Sequence, residues 1–210
     1  MSVPAESIFF DLWSATYDQP GLQQATYRPV HDAVLARLEG QPHGRILDLG
    51  CGTGQLTERL VNTFPESEVV GVDLSNGMIE RAKERASAID SASFVRADAL
   101  RLPFVDGAFD VVTCTESFHW YADQEAAAAE LARLIAPRGR LLIASIATVT
   151  GFADHAIRRA SDLAGRPVRP IPKRQLRRLL EGAGFEVHHQ GRIPRLGFIP
   201  WPMLTDATRR

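Results

Sequence analysis

Three glycines stand at alternate positions in the stretch ILDLGCGTGQLT, directly after a short apolar run. They are Gly50, Gly52 and Gly54. A tight turn needs one glycine or two, so three indicate that a ligand approaches the backbone closely. The helix predicted after them would offer N–H groups that have no partner within the helix.

A carboxylate, Asp73, follows 23 positions after Gly50, where a second apolar run ends. A carboxylate at this place can accept hydrogen bonds from both hydroxyls of a ribose, so the expected ligand carries adenosine. The glycine spacing G-x-G-x-G differs from the nicotinamide fingerprint G-x-G-x-x-G, and a Gly-Lys-Ser/Thr phosphate loop is absent from the sequence. Asp48 before the glycines and Asp98 after a third apolar run make the choice among adenosine-bearing cofactors less ambiguous.

Strand and helix signals alternate from Arg45 onward, and this alternation positions those residues. The predicted strands are RILDLG, EVVGVDLS, ASFVRADA (ending near Asp98), FDVVTCT and GRLLIASIA, with helices at Gly54 to Phe64, NGMIERAKERASA (capped by Ser75) and DQEAAAAELARLIA. Strands separated by helices predict right-handed βαβ units and a parallel sheet with both faces covered. The carboxyl ends of such strands form the expected ligand-binding edge.

The flanking segments complete one predicted domain, 1–210. Residues 1–40 form a helical cap, 41–147 the cofactor-binding core, and 148–210 a loop, a helix and a terminal β-hairpin. The prolines at 200 and 202 predict that the last strand lies at an edge or carries a bulge.

Four motifs in register resemble the class I S-adenosylmethionine-dependent methyltransferases, especially the small-molecule group with ubiquinone/menaquinone-type and trans-aconitate-type enzymes. The motifs are ILDLGCGTGQLT, VVGVDLSNGMIERAKERA, FVRADALRLPFVDGAFDVVTCTESFHW and LARLIAPRGRLLIA. The resemblance implies a doubly wound, seven-stranded, mostly parallel α/β sheet of Rossmann-like order 3-2-1-4-5-7-6, with helices on both faces and an N-terminal helical segment. It also implies S-adenosylmethionine as cofactor and S-adenosylhomocysteine as product.

The resemblance further implies a role for each matching position. Asp48 would orient the ammonium of the cofactor, Asp73 would hold its ribose, and Asp98 would accept from the adenine amine. The other implied cofactor contacts are Gly50, Cys51, Gly52 and Gly54 along the methionine part, Leu74 and Met78 on the adenine, the Ala99 N–H on a ring nitrogen, the Thr115 carbonyl on the ammonium, and Arg28 with Tyr17 or Tyr27 at the methionine carboxylate. Structural alternatives stay open: Asp48 bonding strand-end groups, Asp98 capping a turn, and Met78 as core.

The stretch ESFHWYAD leaves the fourth predicted strand at the ligand edge. His119 is the candidate general base because imidazole titrates near neutral pH, with Glu116 a lesser candidate. Local packing of His119 is the alternative interpretation. Methyl transfer needs mainly alignment and a dry site, so a base is required only if the acceptor is not already ionised.

The composition fits a cytoplasmic globular protein with a small-molecule acceptor. The net charge is −1, but residues 151–210 hold 12 basic and 5 acidic side chains. We interpret this basic third as solvated surface and expect no nucleic-acid partner, although an RNA methyltransferase and an inactive cofactor-binding partner subunit stay open as alternatives. The two cysteines form no metal motif, no membrane-spanning run is visible, and the acceptor pocket is either open or completed in a homodimer.

Overall fold

Seven strands run through the computed structural model, which describes residues 11, 21, 23–40, 43–146, 159, 161, 168–194 and 202–210. The strands are β1 (Arg45–Leu49), β2 (Glu68–Asp73), β3 (Ala92–Arg96), β4 (Phe109–Thr115), β5 (Ile135–Ile146), β6 (Phe185–Arg192) and β7 (Pro202–Arg209). They form one sheet of order β3-β2-β1-β4-β5-β7-β6. β1 to β5 are parallel, whereas β7 runs antiparallel to β5 and β6. The order and the mostly parallel arrangement expected from the sequence are confirmed.

Helices connect the parallel strands. In the described part of the chain the α-helices are α1 (Arg28–Leu38), α2 (Gln55–Thr63), α3 (Asn76–Arg85), α4 (Gln124–Leu134) and α5 (Lys173–Gly182), with a π-helix at Gln23–Tyr27 and a 3₁₀ helix at Phe118–Trp120. Ser75 caps α3 as expected, since its hydroxyl accepts a hydrogen bond from the Met78 N–H at 3.1 Å. Among these helices, none is long and apolar enough to cross a membrane.

Alternate residues of each strand pack on opposite faces of the sheet. On one face, Ile46 of β1 belongs to a core cluster with Val34 of α1 and Leu60 of α2. On the other face, Leu47 packs with residues of α4 and α5, including Leu131. The helices therefore cover both faces, as a doubly wound sheet requires.

Two strand predictions need correction. β3 ends at Arg96 rather than near Asp98, because Asp98 forms only an isolated bridge with Arg101 in the turn that follows. β7 lies inside the sheet, between β5 and β6, so the prediction of an edge strand is wrong, while the bulge predicted as its alternative at Pro200 lies outside the described residues. Pro202 is the first residue of β7, and its carbonyl accepts from the Ile193 N–H at 2.9 Å, so its missing N–H interrupts no interior ladder.

Candidate active site

The glycine loop leaves β1 at the carboxyl edge of the sheet. Gly50, Gly52 and Gly54 all have positive φ, at 73°, 53° and 79°, which favours glycine at each position. The loop folds back onto β2, since the N–H groups of Gly50 and Cys51 both donate to the Val72 carbonyl, at 2.7 and 3.0 Å. This tight course brings the loop beside the end of β2.

Packing is a second reason why two of these positions require glycine. A Cβ on Gly50 would lie 2.4 Å from the Ser117 Oγ, and one on Gly54 would lie 3.1 Å from the Ala82 Cβ. From the sequence, these glycines are expected to allow a sharp turn and the close approach of a ligand. The loop would need them for its own fold even without a ligand.

Asp73, the last residue of β2, fastens the glycine loop. Its Oδ2 accepts from the Gly52 N–H at 3.0 Å, and its Oδ1 accepts from the Ser75 N–H at 2.9 Å. Burial raises the pKa of Asp73, while the bonds from these N–H groups oppose that rise. The residue is only half-buried. Each carboxylate oxygen has a further lone pair beyond the bond that it accepts here, so Asp73 can also accept from ligand hydroxyls.

Asp48 lies beneath the loop and is fully buried. Its Oδ2 accepts from the Thr57 hydroxyl at 2.7 Å, and its Oδ1 lies 3.1 Å from the Thr113 hydroxyl. Burial raises the pKa of Asp48 to about 6, and the two threonine hydroxyls oppose the shift. These bonds join β1, α2 and β4, so Asp48 has a structural role in addition to the ammonium role that the sequence predicts.

The residues expected around adenine follow the ends of β2 and β3. The Ala97 N–H donates to the Asp73 carbonyl at 3.1 Å, which brings these two strand ends together. Met78 is buried and Leu74 half-buried. Asp98 is exposed, and its Oδ1 accepts from the Leu100 N–H at 2.9 Å in a local turn. Because Asp98 is exposed, it is accessible for the predicted contact with adenine. The neighbouring Ala99 is buried.

Asp11, an aspartate that sequence reasoning missed, also lies at this edge. The carboxylate of Asp11 accepts from the Ser75 hydroxyl and from the Gly77 N–H, the latter at 3.0 Å. Only its place in FFDLWS, within a predicted helix, could have drawn attention to it. Asp11 therefore lies at the first turn of α3, beside the β2 end of the site.

Arg28 is the first residue of α1, and its side chain is exposed. The other end of α1 lies at the amino edge of the sheet, where the Arg37 carbonyl accepts from Arg140 of β5. Arg28 therefore lies toward the carboxyl edge, as its predicted role requires. Tyr27 is half-buried, and Tyr17 lies outside the described residues.

The chain turns sharply after Thr115, the half-buried last residue of β4. Glu116 has φ 53°, a left-handed conformation that costs a non-glycine residue about 1 kcal/mol. The turn places the Ser117 hydroxyl 3.2 Å from the Leu49 carbonyl and 2.9 Å from the Tyr121 hydroxyl. Ser117 and Tyr121, which sequence reasoning did not assign to cofactor support, thus hold the β4 loop against the glycine loop.

His119 is buried, with 2% of its surface exposed, and its Nδ1 lies 3.2 Å from the Ser145 Oγ of β5. Its ring also packs against Trp120, with centroids 5.3 Å apart. This is the packed arrangement that the sequence left open as the alternative to catalysis. The geometry therefore favours His119 as a residue that fixes the β4 loop to β5.

Both cysteines are buried thiols. Burial raises the pKa of Cys51 well above its ordinary value and that of Cys114 to about 11. The Cys114 Sγ lies 3.1 Å from the Ser117 Oγ. Among the described residues, no group of three or more His, Cys, Asp or Glu side chains could hold a metal ion.

A hollow of about 480 Å³ lies at the opposite edge of the sheet. Its lining includes His43, Asp110, Arg138 and Asp206, from the amino ends of β1, β4 and β5 and from β7. In an open α/β sheet the ligand binds at the carboxyl ends of the strands, so this hollow is not the candidate site.

Comparison with known proteins places the site in a family context. Residues 47–143 match the family model described as "Methyltransferase domain". The demethylmenaquinone methyltransferase of Thermus thermophilus is 47% identical over 112 residues, which cover 53% of this chain and 50% of that protein. The malonyl-acyl-carrier-protein O-methyltransferase of Halorhodospira halophila is 36% identical over 143 residues, covering 67% and 48%. The chain thus spans about half the length of these relatives.

The fold is shared with solved structures over nearly the whole chain. Magnesium protoporphyrin IX methyltransferase from Synechocystis PCC 6803, solved with bound S-adenosylhomocysteine, superposes with a TM-score of 0.75 at 23% identity. The alignment covers 97% of this chain and 95% of the other. At this identity the likeness shows the fold.

Proposed function

We propose that this chain, which belongs to the class I S-adenosylmethionine-dependent methyltransferases, transfers a methyl group from that cofactor to a small organic acceptor. The observation that carries the proposal is the position of Asp73, a half-buried residue at the end of β2 whose carboxylate accepts from the Gly52 N–H of the glycine loop. Asp73 would accept hydrogen bonds from the ribose hydroxyls, and it is also bonded to the glycine loop of the family motif.

The residues present fit this cofactor. Asp73 would bind the ribose, and the buried Met78 with the half-buried Leu74 would offer apolar surface to the adenine. Asp98 would accept from the adenine amine because its carboxylate is exposed. The Ala99 N–H would reach an adenine ring nitrogen. The glycine loop, with Cys51, would line the methionine part, where the Thr115 carbonyl would accept from the ammonium and Arg28 would bind the carboxylate.

Catalysis is assigned to alignment and water exclusion. S-adenosylmethionine, when bound, supplies an electrophilic methyl group on a sulfonium sulfur. The burial of His119 and its contact with Ser145 support a role in holding the β4 loop in place rather than in removing a proton. Alignment of reactants alone lowers a barrier by up to roughly 7–11 kcal/mol in favourable cases.

The proposed acceptor is a small molecule, because the relatives named above are a demethylmenaquinone and a malonyl-acyl-carrier-protein methyltransferase. The basic C-terminal third gives little support to RNA as the acceptor. Arg209 donates to the Ile135 carbonyl at 2.6 Å, and Arg177 donates to the Val187 carbonyl at 3.1 Å. These two arginines support α5 and the sheet, whereas Arg174 and Arg178 belong to the exposed surface.

Calorimetry with S-adenosylhomocysteine tests the cofactor site. We expect one site per chain, and Asp73→Asn should weaken binding about tenfold or more, since a charged hydrogen-bond acceptor is lost. The amide oxygen can still accept from one N–H of the loop, so the variant should stay folded. Asp90→Asn, the same change at an exposed residue, is the matched control. Equal affinity in all three proteins would refute the ribose role.

Methyl transfer is measured separately, with labelled S-adenosylmethionine and a panel of quinone precursors, organic acids, acyl thioesters and RNA fragments. Turnover on a small molecule that depends on Asp73 would support the proposal. Tight cofactor binding without turnover on any class would instead support an inactive partner subunit, and turnover on RNA alone would support an RNA enzyme.

A further inference from the structure

The segment before α5 is fixed to the loop that follows β4. The Arg169 N–H donates to the His119 carbonyl at 2.7 Å, and the Arg169 carbonyl accepts from the Gln124 side chain at 2.9 Å. Two residues on, Ile171 is fully buried in the core cluster that contains Phe118. The backbone of Arg169 is therefore held at the carboxyl edge, on the β4–β5 side of the sheet.

The guanidinium of Arg169 contains a buried nitrogen for which the structure provides no acceptor. Its Nη1 has no hydrogen-bond partner, and among the described residues no carboxylate forms an ion pair with this side chain. Other arginines with one unbonded buried nitrogen differ, because Arg45 pairs with Glu68 and Arg59 pairs with Asp32. A guanidinium stays charged at any physiological pH, so a buried N–H without an acceptor is costly.

The cofactor is a poor candidate for the missing acceptor. The cofactor contacts implied by the sequence lie on the glycine loop, at the ends of β2 and β3 and, for the Thr115 carbonyl, at the last residue of β4, and Arg28 is assigned to the methionine carboxylate. Arg169 instead contacts His119 and Gln124, beyond the end of β4. If the cofactor occupies the β1–β2 side of this ligand-binding edge, the β4–β5 side is left for the acceptor.

We propose that Arg169 binds an anionic group of the methyl acceptor through Nη1, and thereby selects a carboxylate- or phosphate-bearing small molecule. The inference rests on the proposed function, because the acceptor site has meaning only if the chain transfers a methyl group. A guanidinium fork matches both carboxylate and phosphate oxygens, so the chemistry they share is an oxyanion. The anion completes the hydrogen bonding that the folded chain leaves open.

Anion binding to the protein saturated with S-adenosylhomocysteine tests this inference. The probes are malonate, inorganic phosphate and neutral malonamide, and the readout is calorimetry together with the melting temperature. We expect malonate or phosphate, but not malonamide, to bind and to raise the melting temperature, as a ligand of the native state must. Which of the two anions binds more tightly distinguishes a carboxylate from a phosphate source.

Arg169→Gln should weaken anion binding about tenfold or more, because a charged hydrogen bond is removed. Arg174→Gln, the same change at an exposed arginine of α5, should behave as the wild type. Arg169→Met tests folding independently, since loss of an uncompensated buried charge should leave the melting temperature without anion unchanged or higher.

Two outcomes would overturn the inference while leaving the proposed function intact. One is anion binding that is equal in wild type and Arg169→Gln, and the other is equal binding of malonamide. Loss of S-adenosylhomocysteine affinity in Arg169→Gln would also overturn it, because Arg169 would then belong to the cofactor site. Failure of the proposed function is a different result, namely no S-adenosylhomocysteine binding by the wild type.

Discussion

Replacing Asp48 with Asn is expected to stabilise the protein at neutral pH, the reverse of the usual effect of changing a buried residue. Burial raises the pKa of Asp48 from 3.8 to about 6. At pH 7 the folded chain therefore contains a carboxylate that is better hydrated after unfolding. The new amide can keep the local bonds, because the Thr113 hydroxyl lies 3.3 Å from the Leu47 carbonyl and can donate there while accepting from the amide.

The pH range follows from the two pKa values of Asp48. Below about pH 4 both states are protonated, and the carboxyl has no effect on the pH dependence of stability. From about pH 4 to pH 6 the unfolded chain releases the proton first, so the free energy of unfolding falls as the pH rises. Above about pH 6 the loss is complete, and a shift of roughly two pH units corresponds to about 3 kcal/mol.

Urea denaturation between pH 4 and pH 8 measures the effect. We expect the wild type to lose up to about 3 kcal/mol relative to Asp48→Asn across pH 4 to 6. Asp90→Asn, at an exposed position, is the control for other carboxylates and should follow the wild type. S-adenosylhomocysteine affinity should fall in Asp48→Asn if Asp48 also orients the cofactor ammonium. A variant that is less stable than the wild type at pH 8, or a pH profile identical to it, would refute the reasoning.

Four further substitutions test the geometry of the loops. Gly50→Ala should destabilise by about 2–4 kcal/mol because its Cβ would overlap Ser117, and an unchanged urea midpoint would contradict this. Arg138→Gly should be neutral or stabilising by up to about 1 kcal/mol, since Arg138 has φ 65° and is exposed; a lower melting temperature would be the opposite result. His119→Asn and Ser145→Ala should each cost about 1–2 kcal/mol, and the double variant less than both together. Full additivity would show that the contact between His119 and Ser145 does not contribute to the free energy of unfolding.

Local patterns in the sequence predicted the sheet because each strand and helix carries its own periodicity. Ser75 could be identified as a cap from its place before α3, and the glycines from their spacing. The prolines alone could not show that β7 lies inside the sheet. Pro202 is the first residue of the strand, and a proline there removes no N–H from the interior hydrogen bonds of the sheet.

The roles of the acidic residues and His119 depend on distant parts of the chain. Asp48 is buried between Thr57 and Thr113, and the latter lies 65 positions away in the sequence. His119 meets Ser145 across 26 positions, in a contact that local periodicity does not encode. Asp11 reaches the start of α3 across more than 60 positions. Side-chain chemistry at the expected places was therefore foreseeable, while its partners were not.

The interior position of β7 has a consequence for how the chain reaches its fold during synthesis. β5 pairs with β7 from Arg140 to Ile146. The residues that pair with this edge of β5 are translated about 60 positions later, so its backbone hydrogen bonds cannot form until then. Until β7 arrives, Leu141 and Ile143 belong to a strand with an open edge, which is a template for wrong pairing with another chain. Refolding should therefore be limited by β7 insertion, and the nascent chain should need protection at β5 until that strand emerges from the ribosome.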